Sequence, residues 1–175
     1  MGINNNLNNI FLIGFSGSGK SKIGKILSRS LSYKFIDTDR YIEHIKKKKV
    51  HEIINDEGEL SFRNIETEIL HNLDYTKNNL VVSTGGGIPT IEQNNKIMKR
   101  SGIIIWLYAS LEIIKYRLNK TKEIRPLLGN NLRSEKVEEM FNKRQKNYSI
   151  ADIKINTDLK DPKAIMEEIE GLINE

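Results

Sequence analysis

Apolar residues fall into short unbroken runs that alternate with stretches of helical periodicity, and this alternation sets the expected architecture. Ile10 to Ile13 is a run closed by Gly14, and Ile23, Ile26 and Leu27 follow at helical spacing. Phe35 and Ile36 form a second run ending in Asp37-Thr38-Asp39, after which Tyr41, Ile42 and Ile45 return to a helical period. From Val50 to Leu73 the apolar positions are interrupted at Gly58, which predicts a short helix and then a longer one. Leu80 to Val82 reads as a brief strand, Ile91 to Met98 as a helix, and Ile103 to Leu107 as a fully buried parallel strand of β-branched and aromatic residues. Ser110 is placed to cap a helix through Leu118. A helix from Ser134 to about Tyr148, a strand from Ile153 to Ile155 and a helix opened by Pro162 complete the order. Strand and helix alternate throughout, which predicts an α/β fold: one domain over 1–175 with a parallel sheet, helices on both faces and right-handed crossovers.

Composition narrows the classes. Hydrophobic residues make up 38% and charged residues 29%, and no apolar run approaches the roughly 20 residues of a membrane span. Met1 to Asn9 is Asn-rich without a basic or apolar leader pattern, so no secretory signal is expected. With no cysteine, thiol catalysis, thiolate metal sites and disulfides are excluded. The net charge of +5 raises a polyanionic partner, yet no interleaved aromatics or second domain accompany it. Lys46 to Lys49 reads as a solvated helix surface or a partner patch. His44, His51 and His71 lack metal-ligand spacing, and Trp106 reads as core.

The strongest chemical signal is Gly14-Phe15-Ser16-Gly17-Ser18-Gly19-Lys20-Ser21, a phosphate-loop pattern lying between a predicted strand and a predicted helix. Backbone N–H groups in such a loop curl round an anion, and the helix N-terminus adds about half a positive charge. Lys20 would bridge the outer phosphates, and the Ser21 hydroxyl would reach Mg²⁺. Asp37 and Asp39 lie at the C-terminal end of the second strand, where open parallel sheets place ligands. Residues two apart on an extended backbone face one side, so both could face one pocket, or either could cap the next helix. Gly85-Gly86-Gly87 permits close backbone approach to a ligand, with a linker as the alternative. Arg63, Arg117, Arg125 and Arg144 are of a type found mostly at surfaces, and beside an anion site they become candidate clamps. Residues 120–133 show little periodicity and read as a mobile loop.

Taken together, these motifs resemble the shikimate kinases, small P-loop phosphotransferases related to adenylate kinase in fold. The resemblance rests on GFSGSGKS at Gly14 to Ser21, DTD at Asp37 to Asp39, SFRNIE around Arg63, STGGG at Ser83 to Gly87, RPLL at Arg125 to Leu128, and Lys143-Arg144 to Tyr148. It implies a three-layer α/β/α P-loop NTPase fold with a parallel sheet in order 2-3-1-4-5, a substrate-binding segment at about 39–66 and a lid at about 120–133. The implied activity is ATP-dependent phosphorylation of the 3-hydroxyl of shikimate, a step of aromatic amino-acid biosynthesis, with Mg²⁺ as cofactor. The implied partners are ATP and shikimate, with no nucleic acid or membrane, in a cytoplasmic monomer. Lys20, Asp39 and Arg125 would be catalytic. Gly17, Ser18, Gly19, Lys20, Ser21, Lys22, Arg117 and Arg125 would bind the nucleotide, with Arg117 stacked on adenine. Asp39, Arg63, Gly85, Gly86, Gly87 and Arg144 would bind shikimate, and Ser21 and Asp37 would hold the metal. Where family members carry a basic pair before the C-terminal proline, this chain reads Leu159-Lys160. The alternatives are a kinase for another small acceptor, such as gluconate or a nucleoside monophosphate, and a nucleotide-dependent switch or basic nucleic-acid-binding module.

Overall fold

The computed structural model describes residues 9–73, 75, 79–120 and 135–174. The elements follow the expected order: β1 (Asn9–Ile13), α1 (Lys20–Ser30), β2 (Lys34–Asp37), α2 (Thr38–Lys46), α3 (Val50–Asn72), β3 (Leu80–Ser83), a 3-10 turn (Ile88–Thr90), α4 (Glu92–Ser101), β4 (Gly102–Tyr108), α5 (Leu111–Asn119), α6 (Glu135–Tyr148), β5 (Ile153–Asn156) and α7 (Pro162–Ile173). All pairings are parallel and the strand order is β2-β3-β1-β4-β5. Arg125 and the predicted lid beyond Lys120 lie outside the described residues, as does the Met1 to Asn8 stretch.

β1 is buried at every position because both faces of the sheet are covered. Its side chains alternate, as strand geometry requires. Phe11 and Ile13 join Val82, Ile104 and Trp106 under α4, α5 and α6, while Ile10 and Leu12 join Val81, Ile105 and Leu107 under α1 and α7. The strand order reverses across β1, between β3 and β4, and the loops leaving the C-terminal ends of β1 and β3 open at that point. Open α/β sheets gather ligands at such a reversal.

The smaller α2–α3 unit has its own core of Ile42, Ile53, Phe62, Ile65 and Ile69. Its long helix breaks at Gly58 as expected, with φ 84° and ψ 162°, backbone space that is essentially restricted to glycine. An added Cβ there would meet nothing within 4 Å, so the requirement is conformational rather than steric. Ser110 caps α5, and Asp161 caps α7 ahead of Pro162.

The basic block departs from its expected place on a helix surface. Lys46 ends α2, Lys47 turns the chain at φ 53°, and Lys49 is the N-terminal cap of α3. Lys48 pairs with Asp56 at 2.9 Å and Lys49 with Glu43 at 3.2 Å, exposed ion pairs of the kind that add little stability. A left-handed residue ends the helical run, and a four-lysine string carries no periodicity that would have shown it. Among the described residues, no helix is long and apolar enough to cross a membrane.

Candidate active site

The phosphate loop sits between β1 and α1, with Gly17 and Gly19 at positive φ. Lys20, the first residue of α1, is largely buried, and its ammonium donates to the carbonyls of Gly14 at 2.8 Å and Phe15 at 3.0 Å. No side chain caps this helix and no acidic residue occupies its first turn, so its N-terminal field is suited to an anion. The Ser16 and Ser18 hydroxyls are buried there without a protein partner. Lys22 is exposed on α1.

Arg117 reaches the loop from α5. It donates to the Thr157 hydroxyl at 3.1 Å and carbonyl at 2.7 Å, and to the carbonyls of Gly17 and Ser18 at 3.4 Å each. The guanidinium therefore braces the phosphate loop against the end of β5. Leu159, just beyond, is 93% exposed, and Lys160 pairs with Glu168 at 2.6 Å.

Ser21 donates to the Asp37 carboxylate at 2.6 Å, and the Ser83 hydroxyl lies 3.4 Å from it. The second Asp37 oxygen accepts from the Arg40 N–H at 3.3 Å, so Asp37 also caps α2. These are hard oxygen donors, and the set suits Mg²⁺, which takes one or two carboxylates together with phosphate and water oxygens. Among the described residues, no cluster of three acidic or histidine side chains forms a self-sufficient cage.

Asp39 reaches the site by a different route from the one expected. Strand β2 ends at Asp37, whose capping starts α2 at once, so Asp39 belongs to the first turn of a helix rather than to an extended backbone. The two carboxylates accordingly diverge: Asp37 turns to Ser21, and Asp39 faces Gly85. Between them the buried Thr38 hydroxyl accepts the Gly85 N–H at 2.8 Å, fixing α2 to the glycine turn.

Space, rather than positive φ, explains the glycine triplet. A Cβ on Gly85 would lie 2.7 Å from an Asp39 oxygen and 2.5 Å from a Glu66 oxygen, and one on Gly87 would overlap the Arg63 guanidinium. Gly86 is flanked by the Gly14 carbonyl and by Arg144, 3.4 and 3.5 Å from a Cβ placed there. The triplet thus packs between Arg63 on one side and Arg144 with the phosphate loop on the other. It is a turn inside the site and not a linker.

Arg63 is buried, contrary to the surface bias of its type. It pairs with Glu66 in a short contact and with Glu59 at 3.0 Å. Burial works against its charge, and Glu66 and Glu59 more than offset that. Glu66 is 1% exposed and one of its oxygens has no partner. Burial pushes its pKa up from 4.5 to about 7, against the pull of Arg63 and Arg144 and with the help of Asp39. Glu66 escaped the residue-by-residue reading. The available signal was its i,i+3 spacing from Arg63 within SFRNIE.

A raised carboxyl pKa means the folded state holds its proton more tightly than the unfolded chain, so stability falls as pH rises between the two values. Wild type should therefore lose stability relative to Glu66→Gln as pH climbs from 4.5 to about 7. Paired melting curves across that window check this. A difference that stays flat with pH would show that folding leaves the Glu66 pKa unshifted.

Comparison with known proteins follows the same lines. A family model described as shikimate kinase matches residues 16–174. A shikimate kinase of Persephonella marina is 42% identical over 167 residues, covering 95% of this chain and 99% of that one. The structure of a shikimate kinase from Acinetobacter baumannii in complex with shikimate superposes with a TM-score of 0.88 at 32% identity, covering 95% of this chain and 92% of the other. A gluconokinase from Sinorhizobium meliloti, at 15% identity and a TM-score of 0.55, covers 97% of this chain and 93% of its own and shares the fold alone.

Proposed function

The chain belongs to the shikimate kinase family, and on that premise we propose that it transfers the γ-phosphoryl group of ATP to the 3-hydroxyl of shikimate, giving shikimate 3-phosphate and ADP. The observation that carries this is the packing of Arg63 against Gly87 and of Arg144 against Gly86, where the Gly14 carbonyl of the phosphate loop also lies. A planar carboxylate between two guanidinium groups gains charge-assisted, directional hydrogen bonds. The acceptor would then lie over Gly86 and Gly87 with its hydroxyls toward Asp39.

Little covalent chemistry is asked of the protein in phosphoryl transfer, where positioning and charge neutralisation dominate. Lys20 neutralises charge on the outer phosphates. Asp39 orients the attacking hydroxyl and takes its proton. Ser21 and Asp37 would hold Mg²⁺, which when bound supplies positive charge to the phosphate oxygens. Arg117 contributes by holding the loop that the nucleotide occupies. Arg125 is assigned to the phosphates by family resemblance alone. The enzyme would act in the cytoplasm as a monomer.

The test is ADP release in a coupled assay with Mg·ATP and, in parallel, shikimate, gluconate, a nucleoside monophosphate panel or no acceptor. Turnover should require shikimate and vanish with EDTA. Turnover with another acceptor in its place would overturn the assignment.

Gly87→Ala gives a sharper check of the acceptor site. Its methyl overlaps the Arg63 guanidinium, and overpacking of this kind costs about 1 to 3 kcal/mol, so shikimate KM should rise about tenfold or more. KM for ATP should change little. Equal effects on both would place the disturbance outside the acceptor site.

A further inference from the structure

Tyr148 ends α6 and is fully buried, with its ring against Trp106 at a centroid distance of 5.6 Å. A buried phenol needs a partner for its hydroxyl, and this one donates to the Gly86 carbonyl at 2.8 Å. Burial drives its pKa far up, so it keeps its proton and remains a donor at any working pH, although the Arg144 charge opposes that shift. Arg144 lies one helical turn earlier on α6, on the same face. Its guanidinium also sits over the Phe15 ring at 5.7 Å. The Tyr148 hydroxyl and the Arg144 guanidinium thus meet the glycine turn after β3 at the same residue, Gly86, where a Cβ would lie 3.5 Å from the guanidinium.

That junction has two geometric effects. The Gly86 carbonyl and the Gly87 N–H share one planar trans peptide and point in opposite directions. Pinning the carbonyl toward α6 therefore aims the Gly87 N–H away from α6. The turn fixed in this way and the Phe15 ring together border the Arg144 guanidinium, and a bidentate contact with a carboxylate requires such a settled arrangement.

Resting on the shikimate kinase assignment above, we infer that Tyr148 is a positioning residue for the acceptor. Its hydroxyl sets the Gly86–Gly87 turn beside Arg144 before the acceptor carboxylate arrives, and it need not touch the acceptor itself.

Tyr148→Phe keeps the ring and removes the hydroxyl. Shikimate KM should rise about tenfold, the scale of one hydrogen bond to a charged group. KM for ATP should stay within about twofold, and kcat should move far less than shikimate KM. The same substitution in an Arg144→Lys background should add about twofold at most, because the guanidinium beside which it sets the turn has already been changed. A wild-type chain with shikimate-dependent turnover and a Phe variant with unchanged shikimate KM would overturn the inference alone, whatever the variant's melting temperature. Fully multiplicative effects in the double variant would also overturn it, since the two residues would then act independently. A wild-type chain without shikimate-dependent turnover would overturn the parent assignment and this inference with it.

Discussion

Replacing Lys20 with Met is expected to lower kcat for shikimate by about 10³-fold, within the range by which removal of a preorganised charge stabiliser slows acyl or phosphoryl transfer. The side chain is largely buried, and its ammonium already lies in the loop on the Gly14 and Phe15 carbonyls. Its charge is therefore held inside the loop from the start, beside the proposed phosphate site. Met preserves length and volume while deleting the charge, so the loss should appear in turnover more than in folding. Steady-state ADP release at saturating Mg·ATP and shikimate, read beside a melting curve, separates the two. A folded variant that keeps kcat within about tenfold of wild type would remove Lys20 from the transfer step.

Asp39→Asn is the second large effect, an expected fall in kcat of about 10² to 10⁴, the contribution of a positioned general base. Asn keeps the shape and can still hydrogen-bond a hydroxyl, but it cannot accept the proton as readily. Shikimate KM should therefore change far less than kcat. The surroundings sharpen this expectation: Asp39 faces the same glycine as the buried Glu66, which holds its own proton to near neutral pH. On the proposed reading Asp39 takes the proton, and Glu66 stays bound to Arg63 beneath the same glycine. If the Asp39→Asn variant supported near-normal kcat with a raised KM, Asp39 would be an orienting group alone.

What could be seen in the sequence depended on how local each interaction is. The phosphate loop was legible because its glycines, Lys20 and Ser21 act through the backbone that joins them. The sheet order agreed with the family resemblance, and the strands themselves were marked by unbroken apolar runs such as Ile103 to Leu107. Asp37 and Asp39 were found for a reason that proved half right: the strand end was correct, but Asp37 capped a helix so promptly that strand alternation never applied. Arg63 looked like a surface residue because its burial depends on Gly87, which lies far along the chain. Tyr148 was noticed only as part of a motif, since the partner that gives its hydroxyl a purpose lies 62 residues away. Glu66 was hidden among many helical glutamates, and only packing under the glycine turn distinguishes it.

The central position of β1 also bears on how the chain is made. The strand that leads into the phosphate loop leaves the ribosome before both of its neighbours: Asn9 accepts from the Leu80 N–H, 71 residues on, and β4 follows that. At about 5 to 20 residues per second of synthesis, its apolar side chains wait several seconds or more for a partner strand. Nascent chains stalled before β3 should therefore bind chaperones through this segment and hold no nucleotide, and protection of β1 should begin only when β3 has emerged.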